Sequence, residues 1–595
     1  MPAAEQTEKR ERAAVLSLEV LARAEPAQAK QPTQFATLVR HFFERFFTSE
    51  MVSQEGDART RLVQAACAIG VPGLVLALYL YTPYHLPHIV RSYWEQAGDH
   101  SFYVLYSLTA MGLVTIFEWD LFFPDLLDVF VLSSQPVRSS RLFCARVTAI
   151  FILIAAAIFD ANVLAVIVLP AATDPPHLFR FLGAHIAAVG LSGLFAAAGL
   201  LALEGMLLAL LGDRLFRKIS LALQGTAVMA LLTALFAYGA VSGALHGLLQ
   251  SGNPRLFWFP PLWFLGIYQR ILDGPATPPV LAALARTGLA ATAIAIALAC
   301  ATYPLAWWRR TKDLVEGAAR RDKQNLAAVS AHGVLHHTLV PRPEGRAVWH
   351  FIGQNLLRVP RYRMVLVMYG GAGAALVFAA VMRMRMGHGH VGLVFSPDGL
   401  RATIPIVAFW TVSGLRSTFL SPADQRGRWV FRVASGKPGL PHVQAARRWV
   451  LIWTLLLTLG AAAWACIAEP LYLHTLRFAA GQVLIAVAIS VLLTEAFFLD
   501  VKTIPFTGAK PNSAANFALL LIPYLGFFPA VVMFTIALEP VIEATWAHLA
   551  VTACIAGALH LCLLWRHRAR IADQLQQIDA DEDEEDFPLS LGLRY

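Results

Sequence analysis

The stretch Phe181-Leu-Gly-Ala-His185-Ile-Ala-Ala-Val-Gly190-Leu-Ser-Gly-Leu-Phe195-Ala-Ala-Ala-Gly-Leu200-Leu-Ala-Leu-Glu204-Gly-Met-Leu-Leu-Ala-Leu210-Leu211 decides the class of this fold. It carries one carboxylate, Glu204, and no lysine or arginine. A hydrocarbon core about 30 Å thick is crossed by about 20 residues of helix, so this run is long enough to span a bilayer. Barrel strands would alternate polar and apolar residues over about ten positions, whereas here and at Val147 to Leu169 the apolar character is continuous. Hydrophobic residues make up 57% of the 595-residue chain, charged residues 15%, and mean hydropathy is +0.56. That is too apolar for soluble cores, and lipid is the expected solvent.

Working outward, similar windows predict an all-α, polytopic protein of about twelve spans. Six lie near Leu62 to Thr82, Phe102 to Phe123, Val147 to Leu169, Phe181 to Leu211, Ile219 to Leu245 and Val280 to Trp307. Six more lie near Met364 to Val381, Ile404 to Phe419, Trp449 to Ile467, Phe478 to Phe498, Phe517 to Leu538 and Leu549 to Leu564. Lysine and arginine concentrate in alternate loops. The rich side holds the N-terminal segment, Arg138/Arg141/Arg146, Arg214/Arg217/Lys218, the long Arg309 to Arg363 connection, Arg426/Arg428/Arg432/Lys437, Lys502/Lys510 and Arg566/Arg568/Arg570. The positive-inside rule makes that side of the cell membrane cytoplasmic, with both termini there. The expected organisation is a segment over 1–61, a first membrane half over 62–307, a linker over 308–363, a second half over 364–565 and a basic-then-acidic tail over 566–595.

The formal charge of +9 sits in these loops rather than along one stripe, which argues against nucleic acid as a partner. Six isolated cysteines imply neither disulfides nor structural zinc. No cleavable signal peptide is evident, and the first span is expected to direct insertion. His85/His88 and His388/His390 have spacings a metal could use, but no nearby cysteine or carboxylate completes a shell, so no metal is expected. The acidic run from Asp579 to Asp586 reads as a self-repelling tail that could also dock on a basic loop.

Similar features recur on each side of the linker. Val39, Phe42, Phe43, Phe46 and Phe47 share one helical face beside Arg40 and Arg45, as an interfacial helix would. Val348, Trp349, Ile352, Leu356 and Leu357 make a comparable face ahead of Arg358, Arg361 and Arg363. The fourth span of each half contains a buried acid, Glu204 and Glu495. These parallels point to a tandem repeat of six-span units.

The first basic-side hairpin reads Glu118-Trp-Asp120-Leu-Phe-Phe-Pro124-Asp125-Leu-Leu-Asp128-Val-Phe-Val-Leu-Ser-Ser-Gln-Pro136-Val-Arg138. A short helix started by Pro124, with acids at its positive end, and stopped by Pro136 fits; it could dock a partner or be an ordinary interfacial loop. This stretch resembles the first cytoplasmic loop of bacterial ATP-binding-cassette (ABC) exporter permeases of the type-2 class. The resemblance implies a coupling helix around Asp120, Asp125, Asp128, Pro136 and Arg138 that receives movement from a separate cassette ATPase, so that ATP would act only through a partner subunit. Phe257-Trp258-Phe259-Pro260-Pro261-Leu-Trp263-Phe264-Leu-Gly-Ile-Tyr268 resembles the short re-entrant outer helices of that family. On chemistry alone, this aromatic peptide is equally an interfacial anchor or a guide for an apolar substrate. The second half departs from the pattern: Arg416 to Arg432 is basic where the first loop is acidic, and Glu539 to Trp546 is too short for an aromatic hairpin.

Asp160, Glu204 and Glu495 interrupt apolar runs. An ionised acid there costs on the order of 3 kcal/mol, so such residues face a bundle interior or a water-filled path, or remain neutral and hydrogen-bonded. No phosphate-binding G-x-x-x-x-G-K-[ST] loop, nucleophile elbow or H-E-x-x-H motif occurs, so no enzymatic activity is expected of this chain itself. The expected function is the permease subunit of an exporter. The alternatives are an ion-coupled secondary transporter using the three acids, and a membrane scaffold.

Overall fold

The computed structural model describes residues 33–48, 58–86, 91–239, 247, 249–250, 253–317, 343–387, 390–419, 440–468, 476–498, 506 and 523–581. The expectations for the 420–439 basic loop, Lys502 and Lys510, His88 and His388, the linker from 318 to 342 and the acidic run beyond 581 lie outside these residues. So does the side chain of Asp120.

The first half comprises α1 (Gln34–Thr48), α2 (Ala58–His85), α3 (Tyr93–Phe117), α4 (Leu126–Ser133), α5 (Ser139–Thr173), α6 (Leu178–Phe236), α7 (Pro260–Asp273) and α8 (Pro279–Gly317). In the second half are α9 (Pro343–Arg358), α10 (Pro360–Val381), β1 (Met382–Gly387), β2 (His390–Phe395), α11 (Pro397–Phe419), α12 (Leu440–Ala468), α13 (Leu476–Phe497), α14 (Phe528–Ile542) and α15 (Trp546–Asp581). Helical segments occupy every expected span, and among the described residues ten are long and apolar enough to cross a membrane. The chain is a multi-pass helical membrane protein.

Three features depart from the expectations. Helical turns continue without a break through the 59 residues of α6, which would reach roughly 90 Å as a straight rod. Yet Ser107 of α3 donates to the Val189 carbonyl at 2.8 Å, and two residues on, Thr109 donates to that of Leu231 at 3.5 Å. Val189 and Leu231 would stand roughly 60 Å apart on a straight helix. The helix therefore doubles back, giving two antiparallel limbs, 178–211 and 219–236. Secondly, α3 begins nine residues before the expected span, because Ser92 and Glu95 close a reciprocal capping box, and it ends at Phe117. Thirdly, within the otherwise all-α fold β1 and β2 pair antiparallel, Met382 with Phe395 and Gly387 with His390.

Packing follows the two amphipathic faces. Phe42 and Phe46 of α1 are 2% exposed and pack with Phe122 and the start of α5. Val348, Trp349, Ile352 and Leu356 of α9 are buried in the same way against α12. Each amphipathic helix thus lies on a later helix of the same half, α1 on α5 and α9 on α12. The halves meet where the second limb of α6 packs on α10. Gly371 permits that approach, since a Cβ there would lie 2.7 Å from Val228 Cγ1.

Candidate functional site

The expected coupling loop forms one compact site. Asp125 caps α4, accepting from the Asp128 amide at 2.7 Å, so the helix starts two residues after Pro124, which precedes the cap. The two acids do not point away from the bundle as free docking charges. Arg45 of α1 bridges them, bonding Asp125 at 2.5 Å and also Asp128. Arg146 of α5 reaches Asp128 at 3.2 Å and donates to the carbonyls of Leu121 and Phe123, with its guanidinium 4.9 Å from the Phe42 ring centroid. From α8, Tyr303 donates to the Phe122 carbonyl at 2.7 Å and Arg310 to that of Pro124 at 3.1 Å. The loop is therefore fastened to α1, α5 and α8. Outward from α4 stand two apolar side chains, Phe130 at 55% and Val131 at 51% exposed, with Pro136 and Arg138 exposed beyond them.

Glu118, which ends α3 at this site, is held with one carboxylate oxygen buried and without a hydrogen-bond partner among the described residues. Burial pushes its carboxyl up to about 8 from an ordinary 4.5. Folding then favours the protonated acid, so the stability it allows is present below 4.5 and is lost as pH rises toward 8. Glu118→Gln is expected to gain about 1–2 kcal/mol at alkaline pH and to flatten the pH dependence of the melting temperature. An unchanged pH profile would disprove the assignment.

The aromatic segment on the opposite side is divided in role. Trp258 is 87% exposed, as an anchor would be, and Trp263 Nε1 donates to the Phe257 carbonyl at 2.9 Å. Pro260 and Pro261 open α7, which at 14 residues is too short to cross. Tyr268 is fully buried. It stacks on His100 of α3 at 4.2 Å between centroids, and its hydroxyl meets His185 Nδ1 at 3.3 Å. Gln269 meets His100 Nδ1 at 3.1 Å. This polar core escaped the sequence reading. Its signal was present in His100 and His185, each lying at the outer end of an apolar run.

Asp160, Glu204 and Glu495 stand in three settings. Asp160 lies by α2, where a Cβ on Gly70 would be 3.2 Å from its carbonyl. Glu204 is 1% exposed on the first limb of α6, beside Gly205, which packs closely on Thr302 of α8. Glu495 of α13 pairs with Arg447 of α12 at 3.0 Å and faces His560 of α15 at 3.1 Å. Glu204 packs beside the sixth span of the first half, and Glu495 pairs with the third span and faces the sixth span of the second. Compared with known proteins, the chain matches no family model, no curated protein and no solved structure, so the geometry of its own residues carries the functional reading.

Proposed function

We propose that the chain is the duplicated, six-plus-six-span membrane subunit of an ABC-type exporter, whose basic side is cytoplasmic and whose ATP is hydrolysed by a separate cassette ATPase docking on α4. The observation that carries this reading is the fastening of α4 to α1, α5 and α8 by Arg45, Arg146, Tyr303 and Arg310, with Phe130 and Val131 left outward. A push on a loosely tethered loop is dissipated. A push on α4 moves two spans, because Arg146 of α5 holds Asp128 within it and Tyr303 and Arg310 of α8 hold the carbonyls of Phe122 and Pro124 just before it. The separate settings of Asp160, Glu204 and Glu495 support this reading over an ion-coupled carrier, which would gather its coupling acids along one path.

The test is capture of a cassette ATPase co-expressed with the full chain. Phe130→Ser with Val131→Ser is expected to weaken capture about tenfold or more, as truncating apolar anchors does, without lowering the melting temperature. Capture and ATPase stimulation equal to wild type would end the coupling assignment. Stable capture of a protein that is not an ATPase, without transport, would favour a scaffold instead.

A further inference from the structure

On the basic side of the second half, α12, α13 and α15 line an open cavity of about 220 Å³ bounded by Gln444, Arg447, Arg448, Leu451, Val491, Thr494, Glu495, Leu564, His567 and Arg568. At roughly 30 Å³ per water, it has room for a phosphate group with its ester oxygens. Three arginines face one carboxylate there, and Arg447 already neutralises Glu495. Arg448 and Arg568 are left as surplus positive charge, with Gln444 and Thr494 as further polar groups. The Nε of Arg447, although buried, donates to no acceptor among the described residues. Two arginines in surplus over the carboxylate of a polar-lined cavity suit an anion that accepts several hydrogen bonds.

The remaining walls identify the source of that anion. Leu451, Val491 and Leu564 are apolar, and the membrane-crossing part of α15 is the least covered of the ten candidate spans among the described residues, with 6% of its apolar window buried. Leu561 is 66% and Trp565 73% exposed on that helix. Tryptophan at the end of a lipid-facing span marks the headgroup level, and basic cavities between helices at that level suit anionic headgroups. We propose that this cavity binds the phosphate headgroup of an anionic phospholipid, with the acyl chains lying along α15. The lipid would clip the sixth span of the second half to α12 and α13. The site is separate from α4 and does not depend on transport.

Native mass spectrometry and thermal shift of the full chain, titrated with phosphatidylglycerol or phosphatidylcholine in micelles, test the assignment. Wild type is expected to prefer phosphatidylglycerol by about tenfold or more, and the double variant Arg448→Gln/Arg568→Gln to lose most of that preference. Both residues are exposed, so folding in phosphatidylcholine should match wild type. Arg566→Gln, on the same helix but outside the cavity, removes one charge without touching the site and should lose far less than Arg568→Gln. Equal losses in these two single variants would reduce the effect to general surface charge and overturn the proposal. Competition by inorganic phosphate at millimolar concentration would equally overturn it, assigning the cavity to a soluble anion.

Discussion

Asp128→Ala is expected to destabilise the protein by about 3–5 kcal/mol, the range found when one partner of a buried ion pair is removed. The Asp128 side chain is 9% exposed and that of Arg146 2%. Without the carboxylate, the Arg146 guanidinium keeps only the backbone carbonyls of Leu121 and Phe123 and the face of Phe42, none of which carries a compensating charge. Arg45 loses its more buried partner at the same time. Asp125→Ala should cost much less, about 1 kcal/mol, because that carboxylate is 45% exposed and its main service is the helix cap. Pairing Asp128→Ala with Arg146→Met should recover part of the loss, since removing both charges avoids the orphaned one. Denaturant unfolding in micelles measures all three. Equal midpoints for Asp128→Ala and wild type would show that the fastening of α4 is not electrostatic.

Gly266→Ala is expected to cost about 2–3 kcal/mol through overpacking. A Cβ at Gly266 would stand 2.5 Å from the Leu281 carbonyl oxygen, 2.6 Å from the Ala285 nitrogen and 3.0 Å from the Leu284 carbonyl carbon. All three are backbone atoms of α8, so no side chain can swing aside and α7 must lift away. Tyr268 and Gln269 would move with it, opening the buried contacts to His100 and His185. Gly183→Ala on α6 is the control: nothing lies within 4 Å of its Cβ, and alanine is the better helix former. Its melting temperature should equal or exceed that of wild type. A tolerated Gly266→Ala would mean that α7 is not seated on α8 as closely as described.

The spans were legible because transfer into lipid is summed locally along the chain, so a window near Phe181 or Val147 reports its own fate. The same holds for the faces of α1 and α9. Phe42, Phe46 and Ile352 are buried where their helical spacing placed them. The Met382-Arg-Met-Arg-Met386 alternation carried a strand signal of period two, which a reading tuned to apolar helices passed over. The doubling back of α6 was visible as the basic group Arg214, Arg217 and Lys218, although helical turns run on through it.

By itself, then, the sequence determined that this is a polytopic helical membrane protein with two amphipathic helices and acids in its apolar runs. Tertiary structure alone decided what those charges meet. Asp128 is 83 residues from Arg45, and no periodicity connects them. Glu495 is 48 residues from Arg447, and only the packing of α12 on α13 makes them a pair. Hydrophobic burial depends on each residue's own surface and is nearly additive along a window. Ion pairing depends on distance and desolvation, which exist only once the helices have packed.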